Sequence, residues 1–257
     1  MVCSSNANIV SFSGGKDSTA MLHMMLDRGE SVADVVFFDT GWEFPEMYEH
    51  IQQVESNTGL RITTLRPARP FTYWMFERPI KARKGREKGC IHRIGNGWPS
   101  PSRRWCTRIK VDAINKHLSA WADPMCCIGM AVDEVKRTQT KSQRRRRYAK
   151  RYPLIEYDVD EAEALTYCKR LGYDWGGLYD LFPRVSCYCC PLQRIGELRR
   201  LRRHRPVEWQ AMLEMDRMAP EHNRGFRNYD TVHDLERRFQ AEDRLAEELR
   251  CAGMGVN

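Results

Sequence analysis

The stretch SFSGGKDSTAMLHMM, Ser11 to Met25, constrains this chain more than any other. It follows the apolar run NIVSF and leads into Met21, Leu22, Met24, Met25 and Leu26. That order reads as a buried strand, a turn through two glycines, and a helix packed on a sheet. Unpaired N–H groups and the helix dipole at such a start favour an anion. Gly14 and Gly15 allow close backbone approach, Lys16 adds a point charge, and Ser13 and Ser18 offer hydroxyls. The spacing differs from the Walker sequence G-x-x-x-x-G-K-[ST]. The expectation is a phosphate cradle over Ser13–Ser18.

The same rhythm continues along the chain. Strands are expected at Ala33–Gly41, Leu60–Leu65 and Met125–Ala131, and helices at Pro45–Ser56, Thr107–Leu118 and Asp160–Leu171. Alternation of this kind predicts an α/β fold, a parallel twisted sheet with helices on both faces. Between Phe71 and Arg104 the pattern breaks into Gly, Pro, Ser and basic residues, which reads as a long mobile loop. The C-terminal part reads as helical, with Val232, Leu235, Phe239, Leu245 and Leu249 as a buried stripe.

Charge and cysteines bound the function. The 257 residues carry a formal net charge of +8, which favours anionic partners. Two basic segments, Lys141–Arg151 and Arg199–Arg205, are either solvated faces or tracks for tRNA or DNA, with Tyr148 and Tyr152 available to stack on bases. No apolar run approaches the ~20 residues that span a bilayer, and no export signal is visible. A cytoplasmic protein without membrane contact is expected. In that compartment clustered thiols read as metal or redox ligands, whereas Cys3, Cys126, Cys127 and Cys168 read as packing residues. Cys187 and Cys190 have C-x-x-C spacing, suited to two thiolates on one metal centre. A structural zinc, with His92 and His204 as further ligands, and buried thiols are the alternatives.

SGGKDS resembles the pyrophosphate-binding loop of the PP-loop ATP pyrophosphatases. FFDTGWEFPEMYEHI (Phe37–Ile51) is similar to a segment shared by the ATP sulfurylase small subunit, the phosphoadenosine phosphosulfate (PAPS) reductase family and the DNA phosphorothioation enzymes. RRWCTRIK, RYPLIEYDV and PRVSCYCCPLQ resemble elements of the PAPS reductase family and its iron–sulfur members. IGMAVDEVKR is a looser match in which Ala131 stands where an Arg is expected. The resemblance covers about residues 8–193; it suggests a nucleotide-binding domain over 1–193 and a helical extension over 194–257.

The resemblance implies an adenine nucleotide α-hydrolase-like fold. It implies a nucleotide held by Ser11, Ser13, Gly14, Gly15, Lys16, Asp17, Ser18, Asp39, Thr40, Gly41 and Gly129, with Lys16, Asp17 and Asp39 in catalysis. Cys106, Cys187 and Cys190 would hold a [4Fe–4S] cluster, with Cys189, Cys90 or a non-protein species as the fourth ligand. The first functional reading is an ATP- and Mg²⁺-using enzyme that cleaves between the α and β phosphates, adenylates an acceptor and transfers sulfur from a cluster or a donor protein. The second is a sulfonucleotide reductase that forms sulfite from PAPS or APS. Such reductases use a C-terminal Cys in a Glu-Cys-Gly-x-His setting, which the tail around Cys251 lacks. The third is a nucleic-acid-binding module without catalysis.

Overall fold

The computed structural model describes residues 7–139, 148–220, 225–227 and 230–252. The chain forms two compact units, one drawn from Met1–Ala68 and Thr107–Cys187, the other from Arg69–Cys106 and Tyr188–Asn257. Both therefore draw on residues before position 193.

The first unit is built on a five-stranded sheet. Its strands are β1 (Ala7–Phe12), β2 (Asp34–Phe38), β3 (Ile62–Leu65), β6 (Pro124–Ile128) and β7 (Ala149–Arg151), ordered β3-β2-β1-β6-β7 and parallel throughout. Consecutive residues of β1 and β2 are buried, including Ile9, Val10, Val35, Val36, Phe37 and Phe38. Continuous burial is what a parallel strand covered on both faces requires. Ile114 and Leu118 of helix α3 (Trp105–Leu118) pack with Ile9, Val36 and Cys126.

Helix α1 (Lys16–Asp27) leaves the end of β1 and buries Met21, Leu22, Met24 and Met25. Helix α2 (Pro45–Thr58) starts on Pro45 and stops at Gly59, whose φ of 68° is the left-handed conformation that glycine adopts without strain. Helix α4 (Glu161–Arg170) opens on a capping box in which Asp160 and Glu163 exchange backbone-to-side-chain bonds of 2.7 and 3.0 Å. Chain order reverses at β1: the path runs outward through β2 and β3, then returns to β6 on the other side. The carboxyl ends of β1 and β6 thus flank a topological switch point, where open α/β sheets bind ligands.

The second unit corrects the loop expected between Phe71 and Arg104. A π-helical turn at Tyr73–Glu77 leads into β4 (Pro79–Lys81), which pairs antiparallel with β5 (Ile91–Ile94). A two-stranded ribbon has no buried face, so its sequence carries no apolar alternation to reveal it. The unit also contains α5 (Ile195–His204), α6 (Pro206–Arg217) and α7 (Val232–Cys251). Val232, Leu235 and Phe239 are buried as expected, but Leu245 is 56% exposed, so the apolar stripe ends before the last turns of α7.

The two basic segments are described in part. Lys141, Arg144, Arg145, Arg146 and Arg147 lie outside the described residues, as does Cys3. Ala149–Arg151 form the edge strand β7, where Arg151 is paired with Glu30 and Glu156. In Arg199–Arg205, Arg199 holds Glu242 at 2.6 Å, Arg202 holds Glu236 and Asp243 at 2.8 and 2.5 Å, and Arg205 holds Glu208 at 2.5 Å. Much of that positive charge is spent inside the unit. Among the described residues no helix is long and apolar enough to cross a membrane.

Candidate nucleotide site

The glycine turn lies at the end of β1, beside the loop that follows β6. Gly14 has a φ of 77°, and a side chain there would also strike Met47. Ser18 Oγ accepts from the Ser13 amide at 3.1 Å, lies 3.0 Å from Ser13 Oγ, and donates to the Gly15 carbonyl at 3.0 Å. The two serines therefore clasp the turn. Behind it, Trp175 Nε1 donates to the Gly14 carbonyl at 2.7 Å and Tyr179 Oη accepts from the Lys16 amide at 2.7 Å. His50 stacks on Trp175 with ring centroids 4.4 Å apart, and its Nε2 is 2.9 Å from Thr19 Oγ1. Burial among these rings pushes the His50 pKa down to about 3, so the imidazole is neutral.

Gly129 completes the crevice. A Cβ on Gly129 would sit 2.8 Å from the Ser18 amide nitrogen and 2.9 Å from the Asp17 carbonyl carbon. The β6 loop can lie against the start of α1 only because residue 129 has no side chain. Ser11 lies within β1, in register with Val36 and Ile128.

Lys16 is buried, and its Nζ donates to Asp17 Oδ1 and Glu161 Oε2, both at 2.8 Å. Burial pulls the Lys16 pKa down, but the two hydrogen bonds and both carboxylate charges outweigh it and hold the amine above its ordinary value. Burial, opposed by Lys16 and aided by the charges of Glu161 and Glu134, raises the Asp17 pKa. The capping box at Asp160 sets Glu161 in the first turn of α4. That box was legible in sequence as D-x-x-E, but its partner Lys16 is remote along the chain.

The turn after β2 forms a second, adjoining polar group on the same sheet edge. Asp39 Oδ1 accepts from the Gly41 amide at 2.9 Å and from Tyr48 Oη at 2.8 Å, while Oδ2 accepts from Arg66 Nε at 2.9 Å. Three donors hold this carboxylate in an Asx turn. Thr40 Oγ1 donates to Glu43 at 2.8 Å, and Thr40 and Trp42 amides donate to the same carboxylate at 3.1 and 3.2 Å. Burial raises the Glu43 pKa against the Thr40 hydrogen bonds, and the Asp39 charge adds to the rise. Cys187 Sγ lies 3.4 Å from Thr40 Oγ1 and 3.8 Å from Glu43 Oε1. Sequence reasoning did not single out Glu43, Tyr48, Glu161, Trp175 or Tyr179, because what each contributes depends on contacts made only on folding.

The other cysteines expected as cluster ligands are in the second unit. Cys189 is buried, Cys106 and Cys190 are half-buried, and Cys90 is exposed. Among the described residues no group of three or more His, Cys, Asp or Glu side chains is gathered as a metal site. Cys251 is exposed near the end of α7.

Three relatives are informative in extent. An uncharacterized protein of Methanocaldococcus jannaschii is 29% identical over 84% of this chain and 43% of its own length. A second from the same organism is 22% identical over 75% of this chain and 43% of its own. An uncharacterized nin region protein of Escherichia phage lambda is 28% identical over 74% of this chain and 68% of its own. The chain thus spans less than half the length of the archaeal relatives. A solved structure titled as PAPS reductase from Candida auris, phosphate complex, gives a TM-score of 0.45 at 16% identity, covering 68% of this chain and 77% of that one. The family profile described as "Phosphoadenosine phosphosulfate reductase domain" matches residues 7–193, a span that includes the glycine turn, the Asp39 turn, Gly129 and the C-x-x-C pair. On that match, the chain belongs to the phosphoadenosine phosphosulfate reductase domain family.

Proposed function

We propose that the chain binds ATP through the Ser13–Ser18 turn, in the manner of a PP-loop enzyme, and cleaves it between the α and β phosphates during sulfur transfer. The observation that carries this reading is the pair of carboxylates, Asp17 and Glu161, sharing the Lys16 ammonium at 2.8 Å beside the turn. A leaving pyrophosphate develops concentrated negative charge and needs cations. Lys16 is one. The two carboxylates are a donor set that fits Mg²⁺, which is commonly bound by one or two carboxylates together with substrate phosphates. When bound, Mg²⁺ would neutralise charge on the departing pyrophosphate.

The protein's own groups have distinct tasks in this reading. The clasped turn presents backbone to the phosphates, and Gly129 keeps the neighbouring loop close enough to wall the crevice. Lys16 stabilises charge on the bridging oxygen as the acceptor oxygen attacks the α phosphorus and the bond to pyrophosphate breaks. Asp17 holds Lys16 in place. Asp39, bound by three donors, positions the Thr40–Gly41 turn. A sulfur nucleophile then displaces AMP, delivered by a donor protein.

The [4Fe–4S] cluster proposed on Cys106, Cys187, Cys189 and Cys190 rests on spacing and family resemblance. The Cys187 thiol lies against Thr40 and Glu43. The sulfonucleotide reductase reading is favoured by one observation, the exposed thiol of Cys251. Incubation with ATP, Mg²⁺ and candidate acceptors should release pyrophosphate, whereas PAPS with a dithiol should release no sulfite. Sulfite without pyrophosphate would replace this reading with the reductase.

A further inference from the structure

The β4–β5 ribbon carries charge that no described residue pairs with. From Lys81 to Cys90 it presents Lys81, Arg83, Lys84, Arg86 and Lys88 against a single carboxylate, Glu87. All six are exposed, and none of the five cations forms an ion pair or side-chain hydrogen bond with a described residue. The contrast with Arg199, Arg202 and Arg205, each held by a carboxylate, is sharp. Five like charges stand together here with one carboxylate, Glu87, among them.

The ribbon is also built rather than slack. Ala82 and Cys90 are joined by an amide-to-carbonyl bond of 3.0 Å, and Gly89 returns one to Ala82 at 3.0 Å. Inside the tip, Lys88 and Cys90 amides donate to Gly85 and Glu87 carbonyls at 3.2 and 2.9 Å. Gly85 and Gly89 take φ values of 80° and 92°, which the tight tip requires. At the base, the Gly95 amide donates to the Arg78 carbonyl at 2.8 Å, and the Arg78 guanidinium lies 4.6 Å from the Trp74 ring centroid. A bulge between Ile80 and Lys81 adds twist to the strands. The cations are thus displayed on an ordered, twisted arm.

We propose that this ribbon is a binding arm for double-stranded DNA. Two strands about 4.8 Å apart form a blade that enters a major groove about 12 Å wide. Lysines and arginines along both sides then meet the phosphates that border the groove. Exposed Ile91, at 59% accessibility, offers an apolar contact of the kind made with thymine methyl groups. The major groove of an RNA duplex is deep and narrow and does not admit such a blade.

The test is fluorescence anisotropy of a mixed-sequence DNA duplex of about twenty base pairs over a salt series, that length being about two helical turns. Replacing Arg83, Lys84, Arg86 and Lys88 with Ser should lower the slope of log affinity against log salt by about 3.6. Replacing the paired Arg203, Arg237, Arg238 and Arg250 with Ser removes the same charge and should leave the slope unchanged. In the unaltered protein, the duplex should protect Lys84 and Lys88 from amine acetylation, a readout independent of how the variants fold. Equal slope loss in both variants would reduce the effect to bulk charge and overturn the proposal. So would absence of duplex binding at low salt, equal affinity for an RNA duplex, or displacement by polyglutamate at matched charge.

Discussion

Gly129 and Ser18 are in such close contact that a methyl group on the first would lie 2.8 Å from the amide nitrogen of the second. This approach joins the loop after β6 to the start of α1, across the point where the sheet reverses its order. Gly129→Ala should force the two loops apart, at a cost of about 1–3 kcal/mol in stability. Nucleotide affinity should fall by roughly tenfold, since phosphate contacts depend on sub-ångström placement of backbone. Isothermal titration with ATP, beside a urea melt of the same sample, separates the two effects; an unchanged dissociation constant would show that the close approach does not shape the site.

Lys16 is shared by Asp17 and Glu161, so Glu161→Gln should act on charge without emptying the site. One carboxylate fewer reduces repulsion, and metal-free ATP should bind several-fold more tightly. The Mg²⁺ concentration for half-maximal pyrophosphate release should rise, because one of two donors is weakened. Lys16→Ala should abolish release altogether. If the Mg²⁺ dependence of Glu161→Gln matches that of the parent, the carboxylate pair has no part in metal binding.

His50 gives the molecule an acid-sensitive core. Its pKa is about 3 in the folded state against an ordinary 6.5, so between those values the unfolded chain binds a proton that the native one does not. Stability from the neutral ring is full above pH 6.5 and is lost progressively as pH falls towards 3, on the order of 5 kcal/mol in all. His50→Gln keeps a partner for Thr19 and does not titrate. Urea unfolding from pH 7 to 3 should show a flatter acid limb for the variant; parallel limbs would assign the acid sensitivity to other groups.

The proposed cluster makes a separate prediction. Protein purified without oxygen should carry about four irons per chain if the cubane is present, and Cys187→Ser should remove or destabilise it while Cys168→Ser should not. Cys168 is buried, with its thiol pushed up to about 12 by burial, and donates to the Lys16 carbonyl at 3.4 Å, as a packing residue would. Stoichiometric zinc or metal-free protein would retire the cluster and leave the nucleotide site as it stands.

Local sequence determined the glycine turn and the alternation around it, because both are written within a few residues. NIVSF followed by SGGKDS dictates a strand, a left-handed glycine and a helix start, and that is where the structure has them. The parallel sheet followed from continuous apolar strands spaced by helices. Tertiary structure decided what the local pattern could not carry. Lys16 and Glu161, 145 residues apart, meet only when α4 docks beside α1. Gly129 is tied to the nucleotide by resemblance alone until the fold presses it on Ser18. Arginines 199–205 look like an open basic track until α7 supplies Glu236, Glu242 and Asp243. The segment from Phe71 to Arg104 looked structureless because a ribbon exposed on both faces has no hydrophobic period to betray it. Charge in sequence is a count; whether it is neutralised or displayed depends on which partners folding brings within reach.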